Sequence, residues 1–293
     1  MDGAGLVEGF LEVGDGQVWY RRYGDFGSRP PLLCLHGGPG MPHDYLEPLT
    51  ALASERAVIF YDQLGCGRSP VAGPAPHWSV ARFQAELERV RAGLGLADIH
   101  LFGHSWGGML AMRHALQGAG GIRSLVLCSA PASVSRWLAD AGVLREQLPA
   151  SVRATLSSHE GPGWFACPEY QGAVAEYYRR HLCRLEPWPP ALERTMAGLG
   201  QAPYQAMWGP SEFGPVIGEL RDWELLGSLG QILVPTLVTG GRFDEATPGH
   251  MAEVATAIRG ASLEIFEASS HTAFLEEPEA YLERVRTFLR QAD

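Results

Sequence analysis

The sequence predicts an α/β protein with a mostly parallel, doubly wound sheet and a helical insertion. Three observations carry this. Short apolar runs at 31–35 (PLLCL) and 57–61 (AVIFY) stop abruptly at glycine-rich loops, the pattern of parallel strands buried on both faces. Strand and helix signals then alternate from 80 to 128. The alternation lapses near Pro131 and resumes at 232, which marks an insertion in an otherwise regular pattern.

Taken in order, residues 10–13 and 17–23 flank Gly14-Asp15-Gly16, a hairpin signal. The strands at 31–35 and 57–61 follow. Val80, Phe83, Leu87, Val90 and Leu94 recur at steps of three and four, one helical face, with Ser79 placed to cap it. A strand at 99–102 leads into Gly103-His104-Ser105-Trp106-Gly107, a helical stretch through Met109, Met112 and Leu116, and a strand at 124–128. Residues 132–228 lose the strand runs but carry five tryptophans, too aromatic a stretch to be a disordered linker. The expected division is a core of 1–131 and 229–293 with a helical cap at 132–228. The core pattern returns as a strand at 232–238 (ILVPTLV), a helix at 248–258 and a strand at 263–266. A final helix starts near Pro278 and buries Tyr281, Leu282, Val285, Phe288 and Leu289.

Composition narrows the function classes. With 46% hydrophobic and 19% charged residues, the 293-residue chain has ample material for a core. A net charge of −10, from 33 acids and 23 bases, argues against nucleic-acid partners and against anionic membranes. Five scattered cysteines without a CxxC pair point to neither a disulfide framework nor a zinc site. The first residues lack the basic and apolar segments of a secretory signal, and no apolar run approaches the ~20 residues that span a bilayer. A soluble cytoplasmic protein is expected. No feature marks an oligomeric interface.

The chemistry lies in three loops. GHSWG at 103–107 matches G-x-S-x-G between a strand and a helix, where small flanking residues let the chain turn sharply around an exposed serine. Asp244, in TGGRFDEATP, and His271, in EASSHTAF, follow later strands. Their order, serine then acid then histidine, is that of the α/β-hydrolase fold. Ser105 is the expected nucleophile, His271 the general base and Asp244 its orienting acid, with Glu245 the alternative for the last role. Among ten histidines, His271 stands out by its position after the last strand. The backbone N–H groups of Trp106 and of Gly38, in HGGPG, are the expected oxyanion donors. Because attack needs a neutral imidazole, activity is expected to fall on the acid side.

Taken together, HGGPG (36–40), DQLGCGRS (62–69), GHSWGG (103–108), GPSEF (209–213) and GRFDEATP (241–248) resemble the proline iminopeptidase family, in particular its tricorn-interacting aminopeptidase branch. The resemblance runs over nearly the whole chain. It implies a serine exopeptidase without cofactor or metal, acting on a small peptide or amide with a free N-terminus and covered by a helical cap. It also implies that Glu212 and Glu245 bind the substrate's α-amino group. Trp137, Trp164, Tyr204, Trp208 and Phe213 are candidates for the apolar pocket, and Cys66 for a thiol near the site. An esterase, lactonase or amino-acid amidase on the same scaffold is the alternative. A non-catalytic small-molecule binder is more remote. Epoxide hydrolases and dehalogenases place a carboxylate where this chain has Ser105.

Overall fold

The computed structural model describes residues 5–74, 76–158, 167–209 and 216–293. Its spine is one eight-stranded sheet. The strands are β1 (Val7–Glu12), β2 (Gln17–Tyr23), β3 (Leu32–Leu35), β4 (Val58–Tyr61), β5 (Ile99–His104), β6 (Ile122–Cys128), β7 (Thr236–Gly241) and β8 (Ser262–Phe266). Their order across the sheet is β1-β2-β4-β3-β5-β6-β7-β8. The first two pairings, β1 with β2 and β2 with β4, are antiparallel; every other pairing is parallel.

The central strands β3, β4, β5 and β7 are buried along their whole length because both faces are covered, whereas β1, β2 and β8 are partly exposed. Leu33, Leu35, Ile59, Tyr61, Leu101 and Leu125 face one core, with the helices α1 (Val80–Gly93) and α2 (Trp106–Leu116). Leu32, Cys34, Val58, Phe60, Phe102 and Val126 face the other, where the 3-10 segment His43–Ser54 and a long C-terminal helix pack. Alternation of side chains along each strand thus divides one run of residues between two cores. Ser79 caps α1 as expected, its hydroxyl accepting the Arg82 N–H at 3.2 Å.

Between β6 and β7, five described helices follow one another: α3 (Val134–Glu146), α4 (Ala150–Ser158), α5 (Pro168–His181), α6 (Pro190–Ala197) and α7 (Gln201–Met207). Helices α4 and α5 share a small core of Leu148, Leu156, Tyr170, Ala173 and Tyr177. After β7 come α8 (Pro248–Ala257), then β8, the short α9 (Ala273–Glu276) and α10 (Pro278–Gln291).

One strand differs from expectation. The run at 232–238 enters the sheet only at Thr236, and Leu233 is 80% exposed. Pro235 explains the boundary: it has no N–H for the ladder and contributes only its carbonyl, which accepts the Leu125 N–H at 2.9 Å. The strand instead continues through Gly240 and Gly241, toward Asp244.

Several histidines are buried beside the sheet. Burial holds His36, His100 and His114 down to about 4, so they stay neutral in the fold. Between pH 4 and the unfolded value of about 6.5, the unfolded chain binds protons that the folded chain does not, so their contribution to stability is lost as pH falls through that window. Glu86 works in the opposite sense: burial pushes it up to about 7 against the pull of Arg82, so the stability it adds is lost as pH rises from its ordinary value toward 7. Three histidines outweigh one glutamate. Urea denaturation at pH 5 and pH 7 is expected to show unfolding easier at pH 5 by about 3 kcal/mol.

Candidate active site

The turn from β5 into α2 places Ser105 at φ 53°, ψ −120°, a strained conformation for a residue with a Cβ. Its surroundings hold it there. The Ser105 N–H donates to the Cys128 carbonyl at 2.8 Å, and the Ser105 carbonyl accepts from the N–H groups of Gly108 and Met109 at 2.9 and 3.0 Å. The glycines around it answer to close packing. A Cβ on Gly103 would lie 2.4 Å from the Gly107 oxygen, one on Gly107 2.2 Å from the Leu35 oxygen, and one on Gly108 2.3 Å from the Ala130 Cβ.

Asp244 and His271 come from the loops that leave β7 and β8, the carboxyl ends where open α/β sheets gather their sites. His271 Nδ1 lies 2.7 Å from Asp244 Oδ1, and both side chains are buried. The Ala246 N–H donates to the same oxygen at 2.7 Å. Ser129, itself at a positive φ, donates its hydroxyl to Asp244 Oδ2 at 2.6 Å. With its lone pairs engaged this way, the carboxylate aims at one imidazole nitrogen and leaves Nε2 as the working atom. Glu245 is not bonded to Nδ1; its carboxylate lies 3.7 Å from Nε2, on the other side of the ring. Geometry therefore separates the two acids that the sequence left as rivals.

Gly38 has φ 110°, and a Cβ there would meet the Gly40 nitrogen at 2.5 Å. Its carbonyl is turned away and accepts the Trp208 indole N–H at 2.8 Å. The Gly37 N–H is spent on the Tyr45 hydroxyl at 2.8 Å. Among the described residues, neither the Gly38 nor the Trp106 backbone N–H has an acceptor within the protein. These are the two donors the sequence nominates for an oxyanion.

Two residues that the sequence reading passed over tie the loops together. Gln63, in DQLGCGRS, accepts the Trp106 indole N–H at 2.9 Å and donates to the His36 carbonyl at 3.1 Å, while its backbone N–H reaches His36 Nε2 at 2.8 Å. It joins the loop of Gly38 to the turn of Ser105. His104, the variable residue before the serine, accepts the Tyr45 hydroxyl at Nδ1 (2.7 Å) and donates from Nε2 to the His271 carbonyl (2.9 Å). Burial, reinforced by the neighbouring His271, holds His104 well below the ordinary histidine value, so it remains a neutral strut. The signal for Gln63 was its motif; for His104, Tyr45 and Ser129 the sequence offered none, since their partners are up to 167 residues away.

Ser105, His271, Gly38 and Glu245 open onto one cavity of about 380 Å³, roofed by α5, α6 and α7. The His181 carbonyl, at the end of α5, accepts the N–H groups of Glu245 (3.3 Å) and His271 (3.2 Å), so the inserted helices also position His271. Of the aromatic candidates, Tyr204 lines the cavity, as does Trp188, which was not expected to. Trp137 and Trp208 are not in its wall; they are buried against each other with ring centroids 6.0 Å apart. Glu212, Trp164 and Phe213 lie outside the described residues. Cys66 is buried, its thiol donating to the Gln63 carbonyl at 3.1 Å, and burial pushes its titration well up, so it is no reactive thiol. Among the described residues, no cluster of His, Cys, Asp and Glu is arranged to hold a metal ion.

A family model described as the alpha/beta hydrolase fold matches residues 30–278. The sheet order, the strained serine and the Asp–His pair thus belong to an α/β hydrolase. The chain is 37% identical to the proline iminopeptidase of Heyndrickxia coagulans over 97% of its own length and 98% of the relative's. It superposes on the structure of VinJ with a TM-score of 0.93, at 40% identity over 98% and 99% of the two chains. Against the proline iminopeptidase of Mycobacterium smegmatis the TM-score is 0.89, at 38% identity over 98% of both chains. The chain belongs to the proline iminopeptidase family.

The role of Gln63 is open to test. Gln63→Leu removes a partner from both the Trp106 indole and the His36 carbonyl, and is expected to lower stability by about 1–3 kcal/mol. It also loosens the register of serine and oxyanion loop, and kcat is expected to fall ~10- to 100-fold with little change in KM. Urea denaturation and steady-state kinetics check the two effects separately.

Proposed function

We propose that the chain is a serine exopeptidase that releases an N-terminal residue, proline first among the expected ones, through an acyl-enzyme. The observation that carries this is the buried Glu245 carboxylate, set 3.7 Å from His271 Nε2 in the cavity that holds Ser105. A substrate ammonium docked on that carboxylate in a poorly hydrated site gains a strong, charge-assisted bond, and the distance to Ser105 then measures one residue from the chain end. The family's name supports the same reading.

In this mechanism Ser105 Oγ attacks the first carbonyl as its proton passes to His271 Nε2. Asp244 steadies the imidazolium, and the Gly38 and Trp106 N–H groups stabilise the oxyanion. The C–N bond breaks, His271 gives the proton to the leaving amine, and water cleaves the acyl-enzyme by the same route. No helix of the described residues is long and apolar enough to cross a membrane, and all five cysteines are free thiols. The thiols support a reducing compartment such as the cytoplasm.

The test is a panel of aminoacyl-2-naphthylamides with free or acetylated amines. Turnover of the free prolyl or alanyl substrates, with loss of at least ~100-fold on acetylation, is expected; cleavage of simple esters alone overturns the reading. Asp244→Asn should lower kcat by about 10⁴ at unchanged fold, because the wrong imidazole tautomer is then favoured. Glu245→Gln should lower kcat/KM for free-amine substrates about 10- to 100-fold and leave the residual rate on acetylated ones in place.

A further inference from the structure

The cavity is chemically lopsided. Apolar and aromatic side chains, among them Tyr178, Trp188, Met196 and Leu199, make most of its described wall, and Gln171 and Gln201 add neutral polarity. Among the described residues, its one permanently charged group is Glu245. Neither lysine nor arginine lines it: the chain contains no lysine, and each of its 23 arginines lies at a described position away from this wall. At about 380 Å³ the space falls within the ~300–1,000 Å³ of sites that enclose a whole small ligand, and extends beyond a single aminoacyl group.

From this wall we infer that the leaving group taken by the site is apolar and uncharged: the amide of an apolar amine, not a short peptide whose free carboxylate would sit inside the cavity. The inference rests on the exopeptidase reading and specifies its substrate class. The substrate's amino end has a partner in Glu245. A carboxylate on the far side of the scissile bond meets no lysine or arginine, only neutral donors such as Gln171 and Gln201, and burying a charge without an opposite one is costly. It would also be repelled by Glu245. Among the described lining residues, the single group able to become cationic is His271, and an imidazolium held by a substrate carboxylate is no longer the base that Ser105 needs. The same asymmetry favours expulsion of the released amino acid, whose new carboxylate forms at Ser105 beside the acidic group.

Matched substrates decide the matter with wild-type protein. kcat/KM is measured for Pro-Leu, Pro-Leu amide, Pro-Gly amide and proline 2-naphthylamide at neutral pH. Amidation of Pro-Leu is expected to raise kcat/KM at least about tenfold, and Pro-Leu amide and the naphthylamide to exceed Pro-Gly amide. A gain under tenfold, or a preference for the free dipeptide, overturns the inference while leaving the exopeptidase reading intact. Failure of all four free-amine substrates overturns both.

Discussion

No side chain fits at position 107, because the carbonyl oxygens of Leu35 and His36 occupy the place where a Cβ would stand. This close crossing brings the end of β3 against the first turn of α2. The rest of the site follows from it. The chain leaving β3 is brought beside Ser105, so the Gly38 and Trp106 N–H groups serve one locus. Gln63, from the loop after β4, then reaches both the His36 carbonyl and the Trp106 indole. Three neighbouring strands thus deliver three loops to one point, and the strain at Ser105 is balanced by contacts on every side.

Around that point runs a chain of buried hydrogen bonds. The Gly37 N–H donates to Tyr45, the Tyr45 hydroxyl to His104, and His104 to the His271 carbonyl. Ser129 adds a bond to Asp244. Each member is both donor and acceptor where its chemistry allows, so the network leaves few ways to rearrange. It requires neutral histidines, and burial keeps His36 and His104 neutral. The same burial that keeps these two histidines neutral therefore helps to fix the geometry around His271.

The inserted helices do more than cover the site. The end of α5 holds Glu245 and His271 by one carbonyl, and Trp208, just after α7, holds Gly38. Glu245, His271 and Gly38 are thus tied to the inserted helices through backbone hydrogen bonds and one indole. Among the described residues, the wall these helices present is apolar or neutral, and Glu245 faces it from the loop after β7.

The sequence by itself determined the alternation of buried strands and helices, the turn at Ser105 and the loops that carry His271 and the acid pair Asp244-Glu245, because these obey short-range rules. Strands buried on both faces need unbroken apolar runs, and a sharp strand-to-helix turn needs glycines. Those rules act within a few residues and leave their mark in the local text. Which of two adjacent acids meets Nδ1, that Trp137 and Trp208 pack together while Trp188 lines the cavity, and that His104 and Gln63 brace the loops were decided by tertiary structure alone. Such choices depend on contacts between residues far apart in the chain and on which face of an irregular helical segment turns inward, and neither has a periodicity to read.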